Sequence, residues 1–518
     1  MSSSNNSAAP SRLYSVRLAR WLFRLVWNRF VGWMLVCLIS LLTLYYQWEN
    51  RRSARELEAA YERMLRRIGT DSVLTFAAPT IPDEQNYFAL PVVERWGTGT
   101  LAGPGGFKHY PLEKDVFLPP GFVKPTLSDN GDGTSTLDLA SWAPGRDLKG
   151  EPPAVVVNQE LGDANGLLPP LAAGLGRPFS CIKPGHRQAL EAAGANPYEA
   201  AFPHIRSIND HMKALGLHLR CAAAAGDVPK TRDVALILLR LFPESAASHG
   251  TLISSLVSTA AHGIAFDALR EALGRPVWDE AGLHALQMQL GKINDLEVVD
   301  RALSTETLLG FGAGIYIREA VRRGDRGLYD WLRINQGNDW ASRLANFASA
   351  SAATFGPTGW HDANIAFFVD RQLDVLGPKG EAAWTDAARR GVEVKKRLEV
   401  EYQHLHWNPR RFIGAIMLPN IGNIFDSAAE MLFHRRCLII ACALEKHRLE
   451  QGSYPASLDT VRDDLRPFQV ADPARPPRLP GYRVEKEGYI LWSAGPDAQD
   501  DGGVKDKDWL WRMRLAEP

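Results

Sequence analysis

The chain has 518 residues, and its 59 lysines and arginines balance 59 aspartates and glutamates. A net charge of zero excludes the basic excess that marks nucleic-acid binders, and the length is enough for two or three domains. Fifteen tryptophans point to packed cores, and only the Ser/Asn/Ala-rich first ten or so residues have a disordered composition.

The first element is a run without charge. Residues 30–48 carry no Asp, Glu, Lys or Arg. As a helix, nineteen residues span roughly 28 Å, close to the hydrocarbon thickness of a bilayer. Trp27, Phe30 and Trp33 lie at one end and Tyr45, Tyr46 and Trp48 at the other, where aromatic rings favour the lipid–water interface. The run therefore predicts a transmembrane helix over 29–48 that contacts membrane lipid through 30–48. A cleaved signal peptide would have a shorter apolar core and small residues at its exit; here the exit is Tyr45-Tyr46-Gln47-Trp48. The basic tail, 1–28, holds Arg12, Arg17, Arg20 and Arg24, with Arg29 at the helix start, while the other flank holds Arg51, Arg52, Arg55, Arg63, Arg66 and Arg67. By count of positive residues the two sides nearly tie. The simpler topology keeps the short tail inside and exports the large domain, which predicts a single-pass protein of the inner membrane with a periplasmic domain.

Residues 49–70 read as a charged juxtamembrane helix. Ala54, Leu57, Tyr61, Met64 and Ile68 fall at coiled-coil spacing, but two heptads are too few to stand alone, so packing on its own domain is the first reading and a membrane-side dimer contact the second. From 71 to 184 the texture is irregular, with turn signals such as Pro82-Asp83, Gly103-Pro104-Gly105-Gly106 and Pro119-Pro120-Gly121. Val116-Phe117-Leu118 and residues 134–139 are the expected short strands. The run Asp129-Asn130-Gly131-Asp132-Gly133 fits a calcium loop poorly, since Ser128 and Leu139 stand where ligands belong, and reads as a tight turn.

Residues 185–452 form a helical domain. Apolar stripes of 3.6-residue period run over 234–242, 251–272, 280–293, 305–322, 340–353, 381–405 and 425–449, with turns at Gly226-Asp227, Gly324-Asp325 and Gly377-Pro378. Short loops imply antiparallel neighbours. The lack of a fixed period argues for an irregular array rather than a repeat solenoid. After Gly452 and Tyr454-Pro455 the segment 453–518 changes again: Tyr482-Arg483-Val484 and 488–492 alternate like two antiparallel strands, and residues 509–513 offer a third. The expected fold is mainly α, with one transmembrane helix and a small C-terminal antiparallel sheet.

Of five cysteines, Cys37 lies in the membrane run, and Cys181 and Cys221 could pair in an exported domain. Cys437 and Cys442 fall on different faces of one helix. Buried free thiols are the plainer reading for all four outside the membrane.

One segment carries a resemblance. The series Gly452-Ser453-Tyr454-Pro455 after a long helix, then Asp472-Pro473, then the Asp/Gly-rich stretch 495–508, resembles the C-terminal half of the major pseudopilins of type II secretion systems. In that family a small sheet follows the Gly-x-Tyr-Pro turn and a late loop binds calcium. The resemblance implies calcium ligands at Asp497, Asp501, Asp506 and Asp508, with Asp500 a weaker one. Several carboxylates with flexible glycines suit a hard cation that takes six to eight oxygens; a solvated acidic turn is the competing reading. The departures are plain. The anchor lies some 400 residues upstream with no acid near its start, and Ala474-Arg475-Pro476-Pro477 replaces the family's Gly-x-Pro. The chain is thus no pilin subunit but carries a pseudopilin-like tail. The whole arrangement also resembles uncharacterised anchored proteins of planctomycetes and verrucomicrobia, through residues 81–89, 252–257 and 286–290. That resemblance implies an architecture and a location but no activity.

Catalytic candidates are few. His204, His211 and His218 recur every seven residues, but each interval rises about 10 Å, too far to share a metal ion, and they read as rim histidines of a core helix. Glu401 with His404 and His406, and the His361-Asp362 pair, belong to no motif of known mechanism; Asp362 reads as a helix cap. Gly310-Phe311-Gly312-Ala313-Gly314 follows no strand and reads as close helix packing rather than a dinucleotide loop. The leading expectation is a non-catalytic envelope protein with a helical interaction domain and a calcium-stabilised tail. An accessory part of a secretion or pilus-like machine, and a hydrolase working around His361 or His404, are the alternatives.

Overall fold

A computed structural model describes residues 20–21, 23–24, 29–73, 81–93, 117–130, 134–164, 166–180, 204–241, 252–293, 295–323, 356–378, 390–391, 393–394, 396–400, 408–418, 422–495, 499–505 and 507–515. The fold is mainly α-helical, with an apolar N-terminal helix and a three-stranded antiparallel sheet near the C-terminus. The stretches 340–353 and 401–407, His404 and His406 among them, lie outside the described residues.

Helix α1 (Arg29–Ile68) is unbroken over 40 residues, about 60 Å at 1.5 Å per residue. The membrane run and the juxtamembrane segment, which the sequence divides, are one helix. Its first half is bare: Trp33, Leu38, Ile39 and Leu41 are each more than half exposed. Its second half is docked, with Glu49, Ser53, Ala60, Met64 and Ile68 buried. These positions lie four or seven apart and form one stripe. The stripe packs on the protein's own domain, so the heptad-like spacing serves an internal contact.

The chain then builds a hairpin, β1 (Thr126–Asp129) with β2 (Ser135–Asp138), in register Thr126 to Asp138. Helices α2 (Leu139–Trp142), α3 (Pro153–Leu161) and α4 (Leu168–Ala173) follow, so the region expected to be irregular contains short helices, α2 capped by Asp138 and α3 and α4 started by prolines that fix φ at a first turn. The strand expected at 116–118 is absent where described: Phe117 and Leu118 form a turn. Phe117 is fully buried, so its hydrophobicity reflects a plug in the core rather than a pleat.

The helical array comprises α5 (His204–Ala224), α6 (Val228–Arg240), α7 (Leu252–Leu273), α8 (Glu280–Gly291), α9 (Asp295–Arg322), α10 (Gly359–Leu376), α11 (Phe412–Met417) and α12 (Gly422–Gln451), with the short α13 (Arg462–Leu465) after it. Asp227 caps α6 by accepting from the Lys230 amide and Asp279 caps α8 by accepting from the Gly282 amide, each satisfying an amide the first turn leaves open. Two apolar clusters result. One gathers α1, α9, α10 and α11; the other gathers α3 to α8 with the C-terminal sheet. Helix α12 joins them, since Ala428, Ala429 and Leu432 belong to the first and Phe433 to Leu444 supply the second.

Glycines set a close crossing. A Cβ on Gly310 would stand 2.1 Å from Phe368 Cζ, and one on Gly314 would stand 2.6 Å from Ile365 Cγ1. The glycine run therefore seats α9 on α10, as its helical context predicts.

The sheet is a meander of β3 (Gly481–Glu485), β4 (Gly488–Ser493) and β5 (Trp509–Arg514). Val484 faces Tyr489 and Ser493 faces Trp509. The central strand is almost wholly buried. Gly488, at φ +146°, passes so close to the Met513 carbonyl that a Cβ would stand 2.1 Å from its oxygen, so the two-residue Lys486-Glu487 turn needs glycine there.

Candidate functional site

Three places gather polar chemistry. The first is the acidic loop between β4 and β5. Asp508, 6% exposed, turns its carboxylate inward, accepting from the Gly503 and Val504 amides at 2.7 and 3.1 Å on Oδ2 and from the Asp501 amide at 3.4 Å on Oδ1. Asp501 pairs with Lys507 at 3.1 Å. Asp500 takes a different set of donors. It accepts from Trp492 Nε1 at 2.8 Å and the Gly502 amide at 3.0 Å and pairs with Arg475 at 2.8 Å; the indole bond, with those two partners, holds its carboxyl below the usual range. Arg475 also reaches Asp472, which is fully buried and accepts from the Ser493 hydroxyl and the Ala474 amide. Asp472 is the anchor that the Asp-Pro pair alone did not disclose.

Of the five carboxylates expected to gather round calcium, Asp497 and Asp506 lie outside the described residues. Asp500, Asp501 and Asp508 each have protein donors, and no donor is shared between Asp500 and Asp508. Among the described residues no group of three or more His, Cys, Asp or Glu is placed to hold a metal ion. The described carboxylates are held by the loop's own amides and by Lys507, Trp492 and Arg475.

The second place is a buried charge network that sequence reading missed. Arg220 on α5, 4% exposed, donates to Glu271 Oε2 at 2.7 Å and Asp267 Oδ2 at 2.6 Å on α7. Asp267 also accepts from Arg270 at 2.8 Å and the Ser135 hydroxyl at 2.6 Å, and Glu271 accepts from the Leu137 amide at 3.0 Å. Arg270 reaches the Arg512 carbonyl of β5 at 3.4 Å. The spacing Asp267-x-x-Arg270-Glu271 was the available signal, but it is common on solvated helix faces. The network ties the β1–β2 hairpin, two helices and the C-terminal sheet together.

The third place is the end of α12. Gly452, at φ +77°, closes the helix by donating to the Arg448 carbonyl at 2.8 Å. Tyr454 then donates to Glu445 Oε1 at 2.6 Å and Arg448 to Oε2 at 2.7 Å. Burial raises the Glu445 carboxyl. Tyr489 of β4 stands edge-on to Tyr454 at 4.8 Å, so the Tyr-Pro turn fixes the sheet against the helix.

The histidine candidates resolve into packing. His211 meets Phe117 edge-on at 5.3 Å, and His218 Nε2 lies 2.6 Å from the Phe117 carbonyl. Both are buried, in the core rather than on its rim, and burial pushes both down to about 4. Asp362 does not cap its helix: Thr358 precedes α10 without a side-chain bond, and Asp362 pairs with Arg318 at 3.0 Å. His361 is buried beside it. Cys221, Cys437 and Cys442 are free and buried, the Cys221 thiol pushed up to about 12 by burial; Cys181 lies outside the described residues. Comparison with family profiles, with curated proteins and with solved structures returned no match for this chain.

Proposed function

We propose that this chain is a single-pass, non-catalytic protein of the inner membrane, holding a helical interaction domain at the bilayer surface on the periplasmic side. One observation carries the reading: α1 runs without a break from a bare apolar half into a half sewn into the domain. The apolar window has none of its length buried, which distinguishes it from a soluble core helix, and its bulky exit suits an uncleaved anchor. The titratable candidates support a non-catalytic role, because His211, His218 and Asp362 are buried or paired. The pseudopilin-like tail, clamped to α12, supplies a second surface for protein partners.

Fractionation of cells expressing the full chain tests the reading. The protein should stay in the membrane pellet after alkaline carbonate and keep its residues before Trp48. A soluble protein whose N-terminus begins after Trp48 would refute the anchor. A C-terminal alkaline phosphatase fusion that is inactive would refute the periplasmic side alone.

A further inference from the structure

The packing around α1 fixes how high each part of the domain stands above the membrane. The Asn50 side chain accepts from the Gly359 amide at 2.7 Å, Arg63 pairs with Asp370 at 2.6 Å, and Arg67 donates to the Gly377 carbonyl at 2.7 Å. Helices α1 and α10 therefore run side by side in the same direction, and α10 begins where α1 leaves its apolar stretch. Helix α9 runs the opposite way. Asp300 meets Arg67, Phe311 stacks on Tyr61 at 5.5 Å, and Arg318 meets Asp362. Its last turn, with Arg322 and the following Arg323, thus comes down to the level at which α10 starts. The segment before α11 arrives there too: Asn364 donates to the Pro409 carbonyl at 2.7 Å, and Arg410 pairs with Glu49 at 2.9 Å.

Three distant parts of the sequence so bring arginines to the foot of the domain. Arg51, Arg52 and Arg55 come from α1, Arg322 and Arg323 from the end of α9, and Arg411 from the approach to α11; all six are exposed. The acids at this level are already partnered. Glu49 pairs with Arg410, Glu56 with Arg410 and Arg52, Asp362 with Arg318, and Glu319 with Arg318 and Arg322, so the collar's positive excess rests on Arg51, Arg55, Arg323 and Arg411. Along α1, Arg51 to Arg55 stand within about 10 Å of Trp48, roughly a Debye length from the headgroups.

We propose that this arginine collar is a binding surface for anionic phospholipid headgroups of the leaflet beneath the domain. The inference rests on the membrane-anchor reading and adds a lipid class to it. Charge complementarity carries it: the bare helix delivers the collar to a bilayer surface, and an arginine near an anionic surface is attracted strongly enough to matter singly. The collar is an assembly of the fold and differs from the basic tail of residues 1–28, which lies across the membrane.

The test uses the full chain reconstituted into phosphatidylcholine vesicles containing spin-labelled phosphatidylglycerol or spin-labelled phosphatidylcholine. Flotation with the vesicles checks the anchor first; failure to float overturns the anchor reading. In floated samples the motionally restricted fraction should favour phosphatidylglycerol and lose that preference in 0.5 M salt. In an Arg51→Gln/Arg55→Gln/Arg411→Gln variant the preference should fall by at least about fivefold, the factor expected for a single arginine. The matching Arg→Lys variant should keep it. Equal association of the two lipids, or an unchanged preference in the Gln variant, overturns the collar while leaving the anchor intact. An unfolding midpoint equal to that of the parent chain shows that the Gln variant is folded.

Discussion

Replacing Arg220 by Met is the sharpest probe of how the domain is held together. The substitution keeps most of the apolar stem and removes the guanidinium. Asp267 then retains Arg270 and the Ser135 hydroxyl, whereas Glu271, whose side chain is 8% exposed, retains only the Leu137 amide. A buried charge left without its partner costs about 3–5 kcal/mol, a fall in the unfolding midpoint of about 3–5 °C for a chain of this length. Glu271 is the group that becomes orphaned, so removing it as well should restore much of the loss. The double variant Arg220→Met/Glu271→Leu is expected to be more stable than the sum of the singles by about 2–3 kcal/mol. Denaturant unfolding of the detergent-solubilised full chain, followed by far-ultraviolet circular dichroism, measures all four corners of the cycle. A loss below about 1 kcal/mol for Arg220→Met, the range of exposed pairs, or strict additivity in the double variant, would refute the account of a buried, mutually dependent network.

Three further outcomes are expected. His211 and His218 titrate at about 4 in the folded chain and near 6.5 when unfolded. The unfolded chain therefore takes up their protons first, so their contribution is complete above pH 6.5 and falls as pH drops toward 4, by up to about 1.4 kcal/mol per pH unit for each; His211→Phe should flatten the pH dependence by one proton, and an unchanged slope would exclude it. Gly310→Ala places a methyl against Phe368 and should destabilise by about 1–3 kcal/mol, with part recovered in Gly310→Ala/Phe368→Leu; a neutral effect in thermal unfolding would mean that α9 and α10 are not so closely seated. Asp508→Asn weakens the acceptor of the Gly503 and Val504 amides and should cost about 1–3 kcal/mol equally in calcium and in EDTA; a loss confined to calcium would make the loop the cation site that the pseudopilin resemblance implies.

The helices were legible wherever burial follows a 3.6-residue period, as in α7, α8 and α12, whose observed bounds lie within a few residues of the expected ones. The sheet was legible because 481–492 alternates about a two-residue turn. Helix α9 was read ten residues too short, since its first turns are rich in Asp, Glu and Val and lack a clear stripe. Phe117 misled for a different reason. An isolated apolar triplet has no period, and its meaning comes from His211 and His218, about a hundred positions away. The acidic loop was visible as a composition, but the direction in which each carboxylate points depends on Arg475 and Trp492, whose approach is a property of the folded tail. The Arg220 network was invisible on the same ground: its members come from four segments, and no local pattern distinguishes a buried arginine from a solvated one.

The unbroken α1 has a mechanical consequence. The docked half of the helix extends about 30 Å from Trp48 to Ile68, and the domain is sewn to it at both ends of that length through Asn50 and Arg67. With no break in α1 between its apolar and docked halves, a change of tilt of the apolar half in a bilayer would be transmitted whole. Membrane helices incline by about 20° on average to match local thickness, and a swing of that size carries the far end of the docked segment roughly 10 Å sideways. On the anchor reading proposed above, the domain would move as the outer arm of a lever whose inner arm lies in the hydrocarbon, and bilayer thickness would set the bearing of every surface it presents.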